Sequence, residues 1–199
     1  MTGIYEVGLE EMINRNVEGG RLSFTTDNHE LVRNSELIFI CVGTPPKEDG
    51  GTDLSYVESA AKSIAHAIED YRVIVTKSTV PVGTGAFVSD IIERFKRKPV
   101  RFDVVSNPEF LREGSAIQDT LSPDRIVIGA PNKTVAMRLL ELYSPLERPM
   151  LITDVPSAEI IKYASNAFLA MKISFINGVA NVCERADANV DDVAKGMGY

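Results

Sequence analysis

The sequence predicts an α/β protein in which a doubly wound parallel sheet is followed by one long helix that opens a second, helical domain. Three observations carry this. Short, β-rich apolar runs alternate with polar loops and helical patterns as far as residue 153. The runs lack apolar/polar alternation, which marks strands covered on both faces. Regular exchange of strand and helix marks parallel β-α units. From residue 157 the exchange stops, and helical spacing continues without a proline to about residue 187.

In chain order, the first clear strand is the run Leu37-Ile38-Phe39-Ile40-Cys41-Val42. A Gly/Pro-rich loop, 43–53, leads to a helix that runs to about Asp70, with Asp53 or Ser55 as its cap. Val73-Ile74-Val75 is the second strand. Residues 82–95 read as a helix whose apolar stripe is Val82, Phe87, Val88, Ile91, Ile92 and Phe95. Residues 102–105 form the third strand and 125–128 the fourth. Residues 134–143 form a helix, and 151–153 a last short strand. The long helix, 157–187, places Ile160, Ile161, Ala164, Phe168, Met171, Phe175, Val179 and Val182 on one broad face. About 30 residues at ~1.5 Å each give a helix of roughly 45 Å. So long an apolar stripe needs a partner surface, as a domain spine or a dimer interface. Asp187-Ala188-Asn189 breaks it, and 190–195 starts another helix.

Composition bounds the function. The chain has 199 residues, 44% of them apolar and 25% charged, the values of an ordinary globular protein. No apolar run approaches the ~20 residues that span a membrane, and no leader pattern opens the sequence, so a cytoplasmic protein is expected. A formal charge of −7 argues against a nucleic-acid partner. Cys41 and Cys183 are far apart in apolar contexts and read as buried reduced thiols, with no metal site. His29 and His66 read as surface residues.

The chemistry lies in three loops at the carboxyl ends of strands, where open parallel sheets bind ligands. They are Gly43-Thr44-Pro45-Pro46, then Thr76-Lys77-Ser78-Thr79-Val80-Pro81-Val82-Gly83, then Ser106-Asn107-Pro108-Glu109-Phe110-Leu111-Arg112-Glu113-Gly114. Each brings hydroxyls, backbone donors or carboxylates to one rim. The standard dinucleotide fingerprint is absent. Gly83-Thr84-Gly85 opens a helix, but Val88 stands where the third glycine belongs.

Together these loops resemble the UDP-glucose/GDP-mannose dehydrogenase family. The match runs from Ile4-Tyr5-Glu6-Val7-Gly8 to Gly196-Met197-Gly198-Tyr199. Its specific segments are 42–46, 77–83, 107–114, Pro123-Asp124-Arg125 and Lys162-Tyr163-Ala164-Ser165-Asn166-Ala167-Phe168. The wording of 108–115 looks most like the UDP-glucose branch, with GDP-mannose as the alternative substrate. The resemblance implies an incomplete NAD-binding Rossmann-type domain over 1–154, without its GxGxxG unit. It implies the start of a central helical, dimerising domain over 155–199, with the C-terminal UDP-sugar domain and the family's nucleophilic Cys loop lying outside this sequence.

The resemblance also implies NAD as cofactor, UDP-glucose or a related nucleotide sugar as substrate, and a two-step oxidation of the sugar C6 alcohol to an acid. In that chemistry Lys162 supplies positive charge to an oxyanion, and Asn166, one helical turn on, holds the same oxygen or water. Thr79 and Glu109 position or activate the hydrolytic water. Phe110, Leu111, Arg112 and Glu113 cradle the substrate, with Glu113 also near the nicotinamide. Val42, Gly43, Thr44, Pro45, Ser78 and Thr79 line the cofactor. A homodimer through 157–187 is expected. This sequence alone is expected to show no turnover, and to bind NAD no better than about 1 mM, or ~4 kcal/mol. A non-catalytic nucleotide-sugar-binding or dimerisation module is the competing reading.

Overall fold

Five strands make one sheet in the order β1-β2-β3-β4-β5. They are β1 (Leu37–Ile40), β2 (Arg72–Thr76), β3 (Phe102–Ser106), β4 (Ile126–Gly129) and β5 (Met150–Thr153). The structure, a computed structural model, describes residues 6–198; the expectations that touch Ile4, Tyr5 and Tyr199 lie outside them. The helices before the long one are α1 (Leu9–Glu18), α2 (Asn28–Arg33), α3 (Ser55–Ala67), α4 (Thr84–Phe95), α5 (Ala116–Leu121) and α6 (Lys133–Tyr143). Then follow α7 (Val155–Ala186) and α8 (Val190–Met197). The chain divides into two compact units, Met1–Lys162 and Tyr163–Tyr199.

The doubly wound reading holds, because the two faces of each central strand feed different cores. Ile38, Ile40, Ile74 and Val104 pack with Val57, Ala61, Ile64, Val88, Ile91 and Ile92 of α3 and α4. Val73, Val75, Val105, Ile126 and Ile128 pack with Val135, Ala136 and Leu139 of α6. Successive side chains on a strand point to opposite faces, so Val73-Ile74-Val75 must be apolar throughout.

The wholly parallel sheet needs one correction. β1, β2 and β3 are parallel, as are β4 and β5, but β4 runs antiparallel to β3 through the pair Ser106↔Gly129. A parallel connection needs a crossover element packed on the sheet. The 107–125 link carries only the six-residue α5, so β4 meets β3 from the opposite direction.

Boundaries shift for local reasons. α4 begins at Thr84, because Gly83 takes a left-handed φ of 95°. Val82 therefore lies outside the helix, 51% exposed, and leaves the expected stripe. Asp53, rather than Ser55, closes the start of α3, accepting from the Ser55 amide at 2.8 Å. α7 begins two residues early because Pro156 fits a helix's first turn, where its missing N–H costs nothing. Asp154 accepts from the Ser157 amide (2.7 Å) and hydroxyl (2.9 Å) there.

Candidate functional site

Parallel register brings the ends of β1, β2 and β3 level, with Ile40 beside Thr76 and Thr76 beside Ser106. The three loops therefore leave one rim, and their hydroxyls stitch it together. Ser78 Oγ donates to the Val42 carbonyl at 2.6 Å, and Thr44 Oγ1 to the Thr79 carbonyl at 2.8 Å. Gly43 and Pro45 are exposed beside them.

At the β2–β3 side, three of the four expected catalytic residues meet. Glu109 Oε1 accepts from Thr79 Oγ1 at 3.2 Å and lies 3.1 Å from Lys162 Nζ. Its other oxygen accepts from the Leu111 amide at 3.0 Å. The Lys162 side chain is only 7% exposed, against 25% for Glu109. The ammonium also lies 5.3 Å from the centre of the Phe110 ring, and the Arg125 guanidinium 4.1 Å from it. A buried cation, a carboxylate and a hydroxyl thus converge on one point. Asn166 lies in the second unit, exposed.

The 107–119 loop is held by carboxylates and a buried amide that the sequence reading overlooked. Asn107 is 1% exposed. Its amide nitrogen donates to the Val127 carbonyl at 2.8 Å, and its oxygen accepts from Tyr143 OH at 2.6 Å and Lys77 Nζ at 3.4 Å. Burial pushes the Tyr143 hydroxyl up to about 12, so it stays a donor. Burial also lowers the Lys77 pKa, partly offset by the charges of Cys41 and Glu109. Arg112 sits on Asp119, not on Glu113, through Nη2 at 2.8 Å and Nε at 3.0 Å. Glu6 accepts from the Gly114 amide at 2.7 Å. Glu113 is exposed.

The Asp119 pair gives a pH expectation. The Arg112 side-chain bond, then the Arg112 amide bond, hold the Asp119 carboxyl well below its ordinary 3.8. The order it lends the loop is complete above 3.8 and is lost only as the pH falls through the lowered value. The Arg112 Nε proton signal in NMR should therefore survive acidification past 3.8, and Asp119→Asn should lose it at every pH. A midpoint at or above 3.8 in the parent would contradict this assignment.

Two further expectations need correcting. Cys183 is buried, but Cys41 is exposed, because it follows the strand at the sheet's edge. The rim still crowds its thiol enough to push its pKa up, against the pull of Lys77. It is no activated thiolate. His29 is exposed as expected, whereas His66 is half-buried, its ring edge-on to Phe95 at 6.3 Å.

Gly83-Thr84-Gly85 has a different use from phosphate binding. The Gly83 and Gly85 amides both donate to the carboxylate of Glu159, each at 2.7 Å, and Glu159 is 2% exposed. The N-terminus of α4 is thus filled by the chain's own anion. Nothing in the loop sequence announced this, because the partner lies 74 residues or more downstream. Among the described residues no three His, Cys, Asp or Glu gather as a metal-holding group, and no helix is long and apolar enough to cross a membrane.

Residues 1–147 match the NAD binding domain of the UDP-glucose/GDP-mannose dehydrogenase family, and 156–199 match its central domain. The UDP-glucose 6-dehydrogenase TuaD of Bacillus subtilis is 52% identical over 195 residues, 98% of this chain and 42% of that protein. The UDP-glucose 6-dehydrogenase of Rhizobium meliloti is 51% identical over 201 residues, 98% of this chain and 46% of its own length. A UDP-glucose dehydrogenase structure from Pyrobaculum islandicum superposes with a TM-score of 0.94 at 44% identity, covering 98% of this chain and 46% of that one. A GDP-mannose dehydrogenase structure from Pseudomonas aeruginosa gives 0.93 at 38%, with the same coverages. This chain therefore spans under half the length of each. With both domain matches in order, and the rim that the family resemblance implied folded as one cluster, the chain belongs to the UDP-glucose/GDP-mannose dehydrogenase family.

Proposed function

We propose that this chain supplies the cofactor rim and a catalytic lysine of an NAD-dependent UDP-glucose 6-dehydrogenase. The observation that carries the reading is the convergence of Thr79 and Lys162 on one oxygen of Glu109. Similarity to relatives named as UDP-glucose 6-dehydrogenases favours UDP-glucose over GDP-mannose. The domain assignment follows, with 1–154 as the NAD-binding part and 155–199 as the opening of the helical domain.

The small-residue rim suits the nicotinamide half of NAD. Gly43 leaves open space where a Cβ would stand, and the Ser78 and Thr44 hydroxyls tie the rim loops together by donating to backbone carbonyls. Val42, Gly43, Thr44, Pro45, Ser78, Thr79 and Glu113 would hold it. NAD, when bound, accepts the hydride that leaves sugar C6. The chain's own residues do the rest. The Lys162 ammonium, in a nearly dry site, stabilises negative charge on the reacting oxygen far better than it would in water. Glu109 orients the ammonium, and with Thr79 holds the water that hydrolyses the thioester formed by the second oxidation. Asn166 supplies a further amide to that oxygen, and 110–113 bind the sugar nucleotide.

The test is a chimera in which this sequence replaces its counterpart in the Bacillus subtilis relative. NADH formation, followed by absorbance, should be at least about tenfold more efficient in kcat/KM with UDP-glucose than with GDP-mannose, a difference of ~1.4 kcal/mol. A folded chimera that prefers GDP-mannose, or makes no NADH, overturns the proposal.

The second unit favours a homodimer. In α7, Phe168, Leu169, Met171, Ile173 and Phe175 are each more than half exposed, so the helix is apolar on several sides. Such a helix is one made to be covered. With α8 it lines an open groove of about 630 Å³. Phe175 is 58% exposed within the chain, so Phe175→Asp leaves the chain's own core intact while placing a charge in the seam. The variant should elute as a smaller species on gel filtration with an unchanged circular dichroism spectrum. Co-elution with the parent would remove this helix from the interface.

A further inference from the structure

We propose that Glu159 is a positioning residue for Lys162, fixing the rotation and height of α7 so that the amine reaches Glu109. The proposal rests on the reading of Lys162 as a catalytic residue and names what holds it there. Residues 155, 158, 159 and 162 share one face of α7. Three of these four lock the helix to the sheet layer. A Cβ added at Gly85 would stand 2.5 Å from Val155 Cγ1, and one added at Gly129 would stand 2.5 Å from Ala158 Cβ. Between these contacts the Glu159 carboxylate takes the Gly83 and Gly85 amides, both at 2.7 Å. The fourth residue carries the amine, 3.1 Å from Glu109.

The cost of the arrangement argues for the role. Helices α2, α6 and α8 start on cheap local caps, Asp27, Asn132 and Asn189, while α1, α3 and α5 start without a side-chain cap from the N-cap residue itself. α4 has no side-chain cap of its own at Gly83 and takes a buried carboxylate from another helix instead. Burying a charge is expensive unless donors satisfy it, and a local cap would have served α4 alone. What the distant cap adds is coupling, because the rim loop after β2, which bears Thr79, and the helix that bears Lys162 move as one piece. The Lys162–Glu109 ion pair is a close contact at 3.1 Å, and attraction falls as the charges separate, so a slip of about 1 Å in α7 would weaken the hold of Glu109 on Lys162.

Pulse acetylation of this chain, read lysine by lysine in a mass spectrometer, tests it without any activity assay. Lys162 is 6% exposed, and the exposed Lys47 and Lys133, away from α7 and α8, serve as internal standards. Glu159→Ala should raise Lys162 labelling about tenfold against those standards. Glu159→Gln, which turns an amide N–H₂ toward N–H donors, should raise it by less. A cap that only stabilises α4 would lower the melting temperature and leave Lys162 as protected as in the parent. That outcome in folded variants overturns the proposal. Should Glu159→Ala not fold, Glu159→Gln and hydrogen exchange in the parent decide. The Gly83 and Gly85 amides must then exchange about a hundredfold more slowly than free first-turn amides, and rapid exchange overturns it. Failure of the catalytic reading would show separately, as a Lys162→Met chimera with full turnover.

Discussion

Lys162→Met in the chimera is expected to lower kcat by about 10²–10³, or ~3–4 kcal/mol in the transition state. The reasoning is electrostatic. Lys162 is buried, its ammonium is ion-paired with a carboxylate, and it lies over the Phe110 ring. Removing one preorganised charge from such a place removes stabilisation that exists chiefly when negative charge develops on the substrate. KM should therefore change much less than kcat. Folding should suffer only moderately. Glu109 is partly exposed and keeps the Thr79 hydroxyl and the Leu111 amide, so the orphaned carboxylate is still solvated by two donors. About 1–2 kcal/mol of stability is the expected loss, read from urea midpoints. Methionine preserves the apolar stem, so a larger loss would mean that the ion pair is structural first.

Gly129→Val is expected to be the most damaging change to the fold itself. The side chain added at the end of β4 would meet the Asp154 carbonyl at 2.7 Å, Val155 Cα at 3.0 Å and Ala158 Cβ at 2.5 Å. None of these can retreat like a flexible side chain. Two are backbone atoms at the β5–α7 junction, which is clamped by Ala130 N on Thr153 O at 2.9 Å and Ala158 N on Asp154 O at 3.1 Å. Overpacking of this sort costs about 1–3 kcal/mol and more where backbone must move, so at least ~3 kcal/mol is expected from urea denaturation. Gly178→Ala, at a helical site with open space around it, is the control and should stabilise by about 0.5–1 kcal/mol. Equal stabilities for the two variants would show that β4 and α7 do not approach as described.

The sheet was legible because its code is local and redundant. The runs 37–42 and 73–75 are apolar on both sides of each strand, and only a strand between two cores needs that; in 102–105, Asp103 interrupts one side, where it accepts from the Tyr71 hydroxyl. The antiparallel turn of β4 was not legible, since direction depends on what a connection packs against, and 107–125 shows no pattern that excludes a crossover. The helices α1, α2 and α5 went unread. α2 and α5 are six residues each, too short for periodicity to register. α1 does carry the helical spacing Leu9, Met12, Ile13 and Val17, and was readable.

The site divides in the same way. Thr79, Glu109 and Lys162 could be named because each sits in a segment that resembles the family. What fixes them in place could not. Glu159 reads as an ordinary surface carboxylate on a helix, and only three-dimensional proximity to Gly83 and Gly85 reveals it. Asn107 reads as the turn residue before a proline, yet it anchors the loop to Val127 across the sheet. Chemistry-bearing residues leave motifs, whereas their supports are defined by partners far along the chain.

The most direct measurement is a rapid-mixing trace of NADH formation by the Glu109→Gln chimera with UDP-glucose. If Glu109 holds the water that hydrolyses the thioester left by the second oxidation, both hydrides can leave before the water is needed. The trace should then show a burst on the order of two NADH per site, the stoichiometry of an alcohol-to-acid oxidation, followed by turnover slowed about 10²–10³-fold. A Glu109→Gln chimera that runs on at the parent's steady rate, without a burst, would contradict the account.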